Sequence, residues 1–368
     1  MSTNEKQEFI EVDEYDAKCP SCGASIKFHP ASGKLVCPYC HHTEEIPNAE
    51  LEADLEIDEL DFHQAEARSS FRWGAEKKIV ICDACAAELV YDALEVANVC
   101  PYCGSNHVME IKDDHSIAPN GIIPFQLTLE QANENFHKWI KGRWFAPNEA
   151  RQSAKAEAFT GIYLPYWTFD TKTASQYTAT YGRRRTVYDK DGKPQTVTDW
   201  YRTRGFYQEF IDDHLVLAST RYDAHILSKV EPFYLTNARP YQKEYLHGFV
   251  AERYSIGLDD GWKIAKNEIH HYLESQITQH ILWKHRAHVV RNLRFSTVHS
   301  DITYKYLMLP LWLSTFRYRD KVYQFMVNGQ TGKVGGEYPI SPIKVTITIF
   351  ILLLFVLLGY FFFMENSY

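Results

Sequence analysis

Cysteine is absent from the last 265 of the 368 residues, because all eight cysteines lie between Cys19 and Cys103. The chain also lacks a recognisable signal peptide, since its first fifteen residues contain neither an apolar core nor a basic start. We therefore expect the soluble part of the protein to stay in the cytosol. In that reducing compartment, clustered cysteines are typical of metal ligands rather than of disulfides or a redox pair.

The motifs of common catalytic centres are missing as well. The sequence has no G-x4-G-K-[ST] phosphate-binding loop, no H-E-x-x-H motif and no G-x-S-x-G nucleophile elbow. These absences argue against an ATPase, a helicase or a hydrolase. We therefore expect no enzyme, no catalytic residues and no small-molecule substrate, and an unrecognised active site in the C-terminal part is the weakest of three functional hypotheses.

Basic residues are scarce in the first third of the chain. Residues 1–116 contain 9 Lys and Arg against 24 Asp and Glu, a net charge of −15, whereas residues 117–368 carry +7. Between Thr43 and Ala67 there are ten acidic residues and no basic one. Because phosphate binding needs Lys and Arg, this composition argues against nucleic acid as a ligand of residues 1–116. The acidic stretch is a solvated linker or helix, or a docking strip for a basic partner.

The eight cysteines form two quartets of identical spacing, C-x2-C-x14-C-x2-C, offset by 63 residues. Each C-x2-C turn can place two thiolates on one metal ion, and fourteen intervening residues suit a β-hairpin that completes a tetrahedral site. SIKF with KLV, and ELVYD with LEVANV, have the alternation of such hairpins. The spacing predicts two zinc ribbons with one structural zinc ion each, and His41 and His42 as surface residues. The predicted ligands are Cys19, Cys22, Cys37 and Cys40 for one ion, and Cys82, Cys85, Cys100 and Cys103 for the other.

Charge is absent from Val345 to Met364, a run of twenty residues that is apolar on every face. At a rise of roughly 1.5 Å per residue, such a helix spans about 30 Å, the thickness of a bilayer core. Five basic residues precede the run between Arg317 and Lys344. By the positive-inside rule, we predict a single-pass protein of the cell membrane whose N-terminal domains face the cytoplasm.

The remaining sequence predicts α+β structure. Residues 163–169 (YLPYWTF) and 308–314 (MLPLWLS) share Leu-Pro-x-Trp and lead into strand-like segments, which suggests two equivalent β elements. Asp189–Gly192 and Asn328–Gly329 have the composition of hairpin turns. Three helices are predicted: one after a capping box at Thr128 and Gln131, one from Pro147, and one over Leu258–Arg291.

Three polar groups in this part have competing interpretations. Arg183–Arg185 favours a charged hairpin surface, then contact with anionic lipid, then contact with nucleic acid. Asp212-Asp213-His214 is interpreted as a turn between strands. The histidines between His270 and His288 are interpreted as a polar helix face.

These observations give a fold class of α+β with two N-terminal four-cysteine zinc ribbons, an aromatic-rich domain and one C-terminal transmembrane helix. The predicted boundaries are an N-terminal tail at 1–16, zinc ribbon 1 at 17–42, an acidic linker or helix at 43–79, zinc ribbon 2 at 80–106, a cytosolic α+β domain at 117–340 and a transmembrane helix at 343–364.

Several strings resemble one family: the two CPYC-containing quartets, PFQLTLEQA, YLPYWTFD, KEYLHGFVAERYSIGLDDGW and LPLWLSTFRYRDKVYQFMVNGQTGKV. The chain resembles bacterial YdjG-type membrane-anchored, TFIIB-type zinc-ribbon proteins. That resemblance implies a protein that helps recruit an SPFH-domain (flotillin-like) protein and a phage-shock-protein-A-type protein to the membrane under envelope stress. It implies no catalytic residues.

The leading hypothesis is therefore a non-enzymatic membrane adaptor whose partners are membrane lipid and cytosolic proteins. The runner-up is a membrane-tethered nucleic-acid-binding protein of the replication or transcription type, for which Arg183–Arg185 is the candidate surface.

Overall fold

A computed structural model of the chain describes residues 18–47, 57–63, 77–82, 88–92, 108–111, 119–149, 159–222, 224–318 and 321–365. They form a mixed α+β structure with a cysteine cluster at its N-terminal end and one long apolar helix at its C-terminal end. We call residues 18–47 the N-terminal unit and residues 119–340 the body.

The strands are β1 (Lys27–His29), β2 (Lys34–Val36), β3 (Thr43–Glu44), β4 (Leu60–Asp61), β5 (Lys77–Cys82), β6 (Glu88–Asp92), β7 (Val108–Ile111), β8 (Gly121–Ile122), β9 (Phe159–Tyr188), β10 (Pro194–Leu217), β11 (Arg239–Pro240), β12 (Val250–Glu252), β13 (Val289–Tyr318), β14 (Lys321–Asn328) and β15 (Val334–Gly336). The α-helices are α1 (Leu129–Lys141), α2 (Ala224–Leu227), α3 (Leu258–His285) and α4 (Pro342–Glu365), and short 3-10 helices cover Leu235–Asn237 and Lys243–Leu246.

The N-terminal unit is a small antiparallel sheet in the order β1-β2-β3. Its central hairpin pairs Phe28 with Leu35, as the alternation of SIKF and KLV predicts. In the second quartet, the predicted strand ELVYD forms β6, which pairs with β5 and with β12. Its predicted hairpin partner, LEVANV, lies outside the described residues.

The body is organised around β9 and β13, which pair antiparallel along almost their whole length. β10 adds to the outer edge of β9, and the β9–β10 hairpin turns at residues 189–193, where the DKDG sequence predicts a turn. β14 adds to the far half of β13. The central ladder of the sheet therefore joins β9, from the middle of the chain, to β13, from its C-terminal part. Residues more than a hundred positions apart become neighbours.

The repeated Leu-Pro-x-Trp strings are structurally equivalent. Leu164 pairs with Leu309 in the part of the β9–β13 ladder where β9 begins, so the two strings run side by side in opposite directions. Each string is followed by an equivalent contact, because the Pro165 carbonyl accepts a hydrogen bond from Ala218 and the Pro310 carbonyl accepts one from Gly329. The echo in the sequence thus marks two related halves of one sheet.

The two halves share a strand–helix–strand order as well. β8 and β12 each pair in parallel with the long strand of the other half, β8 with β13 and β12 with β9. Helices α1 and α3 begin seven residues after the second residue of these short strands, at Leu129 and Leu258. Trp167 donates its indole N–H to the carbonyl just before the N-cap of α3, and Trp312 does the same before α1. The body therefore has the symmetry expected of an internal duplication.

The helices follow their sequence signals in part. Thr128 and Gln131 make the predicted capping box of α1. Asn148 and Glu149 are helical after Pro147, and the next residues of that predicted helix lie outside the described ones. α3 ends at His285 instead of Arg291, because Arg286 has the left-handed conformation of a C-cap and β13 begins at Val289.

α3 covers one face of a sheet extension formed by β9 beyond Asp170, β10 before Asp212 and the first half of β13. Alternate residues of β9 are buried beneath it, among them Thr173, Ser175 and Tyr177. The opposite face of this extension carries exposed residues. The apolar core lies at the base of the sheet, where Trp167 packs against Tyr254, Tyr304 and Tyr306.

Helix α4 contains a stretch, Pro342–Tyr360, that is long and apolar enough to cross a membrane, and none of this stretch is buried against the protein. A run that is apolar on all sides and unburied is poorly suited to water. The helix is consistent with the predicted membrane span.

Candidate metal centre

The first cysteine quartet occupies two turns at one end of the N-terminal unit. In the first turn, Gly23 donates its amide to the Cys19 carbonyl and adopts a φ of 74°. In the second turn, His41 donates to the Cys37 carbonyl and adopts a φ of 60°. The two turns are therefore built alike, and the hairpin of β1 and β2 between them carries the second turn back beside the first.

The four thiol sulfurs converge on one point. All four Sγ atoms lie within 4.8 Å of one another, with 3.4 Å between Cys19 and Cys40 and 3.5 Å between Cys22 and Cys37. Four thiolates bound to zinc at about 2.3 Å would have sulfurs roughly 3.8 Å apart, so little movement separates this arrangement from a tetrahedral site. The group could bind one metal ion such as zinc.

The backbone around the sulfurs favours the thiolate form at one position. The amide of Cys40 points at the Cys37 sulfur and lowers the pKa of Cys37 to about 6, against the opposing effect of burial. At Cys40 the His42 amide also favours the thiolate, but the neighbouring sulfurs and burial outweigh it and raise the pKa of Cys40 to about 12. Four close thiols cannot all ionise without a cation, so a divalent metal would replace protons here.

The histidines beside this quartet are not part of the sulfur cluster. His41 is exposed, and His42 points its Nε2 at a carboxylate oxygen of Glu44, 3.5 Å away. Neither belongs to the group whose ligand atoms converge. This arrangement agrees with the prediction that both are surface residues.

The N-terminal unit is held against the body by its apolar side. Phe28 is buried and contacts the Tyr245 ring edge-on, with 5.4 Å between the ring centroids. Its amide donates to the His247 carbonyl over 3.0 Å. Gln242 reaches Pro47 through a side-chain hydrogen bond of 3.0 Å. These contacts fix the N-terminal unit, and with it the cysteine cluster, against the body.

The second predicted quartet lies almost entirely outside the described residues. Cys82 is the last residue of β5, where its backbone pairs with Val108 of β7. Cys85, Cys100 and Cys103 are not among the described residues. The strands β5, β6 and β7 join the large sheet through the pairing of β6 with β12. The second zinc site stays a prediction from spacing.

A second cluster of titratable side chains surrounds Lys305 in the body. The sequence did not predict it. Lys305 Nζ lies 2.8 Å from Asp213, 3.7 Å from Asp170 and 3.3 Å from Glu59. Burial raises the pKa of Asp170 to about 6, although the Asp213 amide and the Lys305 ammonium oppose the shift. Three carboxylates thus share one ammonium, and the cluster joins the acidic segment around β4 to the main sheet.

The prediction that Asp212-Asp213-His214 forms a turn is wrong. These residues lie inside β10, at a register shift between Ile211 and His214, and Asp213 has a left-handed φ of 50°. The shift is a β-bulge that turns the Asp213 side chain toward Lys305. Two acidic residues that interrupt an apolar alternation were the only sequence signal of this bulge.

The histidines near α3 are divided between two environments. His270 and His271 are exposed, in agreement with a polar helix face. His280 and His285 instead face the sheet, and His285 stacks on Tyr181 with 4.2 Å between ring centroids. Burial lowers the pKa of both His280 and His285.

The start of α4 is fastened to the loop after α1. Lys344 donates from Nζ to the Ala146 carbonyl over 2.7 Å and to Asn148 over 3.1 Å. Trp144 donates from Nε1 to Thr348 Oγ1 over 3.3 Å, although its ring is largely exposed. Trp and Lys at such a position are typical of a membrane–water interface.

Comparisons with known proteins support a relationship to one bacterial protein. The chain is 28% identical over 335 residues to the uncharacterized protein YdjG of Bacillus subtilis (strain 168), covering 89% of this chain and 91% of that protein. No protein-family model matches the chain. No solved structure matches it. The similarity spans nearly the whole chain and supports a YdjG-type protein.

Proposed function

We propose that this protein is a non-enzymatic, membrane-anchored zinc-ribbon adaptor that holds cytosolic proteins at the inner face of the cell membrane. One observation carries the proposal: a series of direct contacts joins the four-cysteine cluster to the body and the body to the start of α4. A surface fixed in this way keeps one orientation relative to the bilayer. That property suits a docking platform.

The metal sites are the structural part of this proposal. Two zinc ions per chain are proposed, one held by the quartet that begins at Cys19 and one by the quartet that begins at Cys82. Four thiolates close the coordination sphere of zinc, so these ions would stabilise the ribbons and would not activate water. Support comes from the convergence of the first four sulfurs and from the identical spacing of the second quartet.

The membrane part of the proposal is a single span at α4 with the remaining chain in the cytoplasm. Basic residues precede the span, and Lys344 and Trp144 lie together at its first turns, 5.6 Å from the ammonium to the ring centroid. Such a pair would lie at the headgroup layer. The body would then sit directly on the membrane surface through the loop after α1.

The docking surface includes the outer side of the first zinc ribbon. Tyr39, between the last two cysteines of the quartet, is 77% exposed. An exposed tyrosine on a rigid turn is a favourable contact residue because little side-chain entropy is lost on binding. The proposed partners are the SPFH-domain and phage-shock-protein-A-type proteins that the family resemblance implies. Anchoring raises their effective concentration at the membrane.

Site-specific photo-crosslinking in intact cells tests this function. A photoreactive residue replaces Tyr39 in the full chain, and a matched control replaces Tyr188, which is 72% exposed at the far hairpin. We expect position 39 to yield an adduct with an SPFH-domain or phage-shock-protein-A-type protein and position 188 to yield none.

Two results would contradict the adaptor function. One is the absence of a specific protein adduct at Tyr39 in cells that contain both partner classes. The other is normal membrane localisation of the SPFH-domain protein in cells that lack this chain. Deletion of residues 343–364 provides the anchoring control, since it should release any captured partner into the cytosol.

A further inference from the structure

The face of the sheet extension opposite α3 carries an unusual set of side chains. We call it the open face and define it by residues of β9, β10 and β13 that share one side of the ladder. Its members include Thr178 and Thr180 on β9, Trp200, Arg202, Arg204, Phe206 and Phe210 on β10, and Arg291, Arg294 and Val298 on β13.

Four arginines of this face form two rows across three strands. In one row, Thr178 of the central strand lies between Arg204 and Arg294, and in the next row Thr180 lies between Arg202 and Arg291. Neighbouring strands are about 4.8 Å apart and successive rows about 6.8 Å apart. Each row can therefore present two guanidinium groups and a hydroxyl to a single anionic group.

A β-bulge makes the second row possible. Arg291 and Arg294 are three residues apart and would point to opposite faces of a regular strand. The register shifts between them, and Asn292 adopts a left-handed φ of 54°. The extra residue returns Arg291 to the same face as Arg294.

The arginine rows lack a counter-charge within the part of the chain that the structure describes. Among the described residues, no carboxylate forms an ion pair with any of these four arginines, whereas Arg185 on the other side pairs with Asp199 over 2.7 Å. Four like charges held close together repel one another, and an anion would relieve that repulsion. The candidate surface therefore moves away from Arg183–Arg185, where Arg185 is paired and Arg183 donates to the His285 carbonyl.

Aromatic rings flank the rows along the same face. Trp200 lies next to the second row, and the Arg291 guanidinium stacks over its ring at 3.6 Å. Phe206 follows the first row and is 73% exposed. Exposed rings that follow cationic residues along a groove are the arrangement that proteins use to bind single strands, with phosphates on the cations and bases on the rings.

The rows also have the shape of a trough. Short threonines form its floor, and three of the longer arginines, Arg202, Arg204 and Arg294, line an open groove of about 830 Å³ together with Asn292. We propose that this trough binds single-stranded nucleic acid, its phosphates on the arginine rows and its bases on Trp200 and Phe206. This inference does not rest on the proposed adaptor function.

Other occupants fit the trough less well. A second copy of this chain would bring the same positive charge to the face and be repelled. A bilayer is broad and nearly flat, so it would touch the walls of the trough but not its threonine floor. An extended acidic polypeptide matches the charge but leaves the exposed rings without a stacking partner.

The test is binding of a fluorescein-labelled oligo-dT to the full chain in phosphatidylcholine nanodiscs, followed by fluorescence anisotropy over a salt series. Arg202→Ala/Arg204→Ala should reduce the slope of log affinity on log salt by up to about 1.4, since it removes one guanidinium from each of two phosphate contacts and each contact of a single strand contributes about 0.7. Phe206→Ala should weaken binding about tenfold with an unchanged slope. Lys190→Glu/Lys193→Glu, which alters charge at the exposed hairpin tip, should leave the affinity within a factor of two or so.

Four results would overturn the proposal: no binding of oligo-dT, the same affinity in the Arg202/Arg204 variant, competition by polyglutamate as strong as by oligo-dT, or loss of oligo-dT binding when the nanodisc contains phosphatidylserine. The third would indicate a general polyanion or acidic-protein surface, and the fourth would indicate a lipid-binding face. All substituted residues are exposed, on β10 or at the hairpin tip, and an unchanged thermal unfolding curve establishes that each variant is folded.

Discussion

The N-terminal unit and the body are stabilised in different ways. The unit buries only four large apolar side chains, Ile26, Phe28, Leu35 and Ile46, beside Cys19 and Cys37. The body buries a continuous aromatic core that includes Trp167, Tyr163 and Phe125. A segment of thirty residues with so small a core cannot offset its loss of conformational entropy by burial alone.

We infer from this difference that metal coordination replaces core packing as the source of stability in the N-terminal unit. In the unit, the strands are two or three residues long, and a metal ion bound by the four converging sulfurs would hold the turns together. In the body, strands of up to thirty residues pair over long sequence separations. We therefore expect the two regions to respond separately to metal removal, core substitution and pH.

Loss of the metal should produce the largest difference in stability between the N-terminal unit and the body. Structural zinc in small domains supplies about 10–16 kcal/mol, so Cys37→Ser should unfold the N-terminal unit and leave the body intact. Elemental analysis should find two zinc ions per purified chain and one in the variant. Limited proteolysis should then cut within residues 18–47 of the variant only.

Tyr39→Ala is the matched control for this experiment, since Tyr39 lies in the same turn but contributes no sulfur. It should retain both ions. A wild-type chain without zinc, or a Cys37→Ser protein with an unchanged ion count, would contradict the prediction.

The cysteine cluster could be predicted from the sequence because its determinants are local. Four ligands within twenty-two residues fix the turns, the hairpin and the meeting of the sulfurs. The capping box at Thr128 and the turn after Tyr188 were predictable for the same reason. The apolar run of α4 was predictable from its amino-acid composition alone.

The long-range features could not be predicted in this way. Lys305 meets Asp170 and Asp213 only because two strands pair in one register, and a bulge in β10 decides which way Asp213 points. Arg204 and Arg294 share a face for a similar reason. Alternation along a strand gives a face, but no local pattern identifies its partner strand.

Removal of a core aromatic should reverse the pattern that metal loss produces. Trp167 is fully buried, and its indole N–H donates to the Ile256 carbonyl over 2.9 Å. Trp167→Ala should destabilise the body by about 3–5 kcal/mol through the cavity and the lost hydrogen bond. Zinc content should stay unchanged, because no cysteine of the first quartet contacts this residue. An equal loss of zinc would show that the two regions fold as one unit.

A change of pH should alter the stability of the body by a smaller amount than the loss of a core aromatic does. Burial raises the pKa of Asp170 from its ordinary 3.8 to about 6. The folded body therefore binds this proton more tightly than the unfolded chain does. The resulting stabilisation is fully present below pH 3.8 and is lost as the pH rises through 6, a change of about 1–3 kcal/mol.

Asp170→Asn tests the assignment because an amide keeps an oxygen acceptor for the Asp213 amide. The variant should lose this component of the difference between pH 5 and pH 7.5. Tryptophan fluorescence is a suitable probe of the body, since residues 18–47 contain no tryptophan. A variant whose body has the same pH dependence as the wild type would place the effect on another group, such as Glu231, whose pKa is also raised by burial.

A substitution at the contact between the N-terminal unit and the body should have the smallest effect on stability. It can be compared directly with a control substitution of similar backbone strain. Gly248 lies directly beneath Lys27 of β1 and has a φ of +84°. In Gly248→Ala, the added Cβ would lie 2.9 Å from Lys27 Cδ, and the backbone strain would cost about 1–2 kcal/mol. Gly192→Ala is a matched control, because its φ of +76° carries similar strain with no atom within 4 Å. Hydrogen exchange at the Phe28 amide, which donates to the His247 carbonyl, should quicken in the first variant only. Equal exchange in both variants would mean that the N-terminal unit keeps its place on the body without this contact.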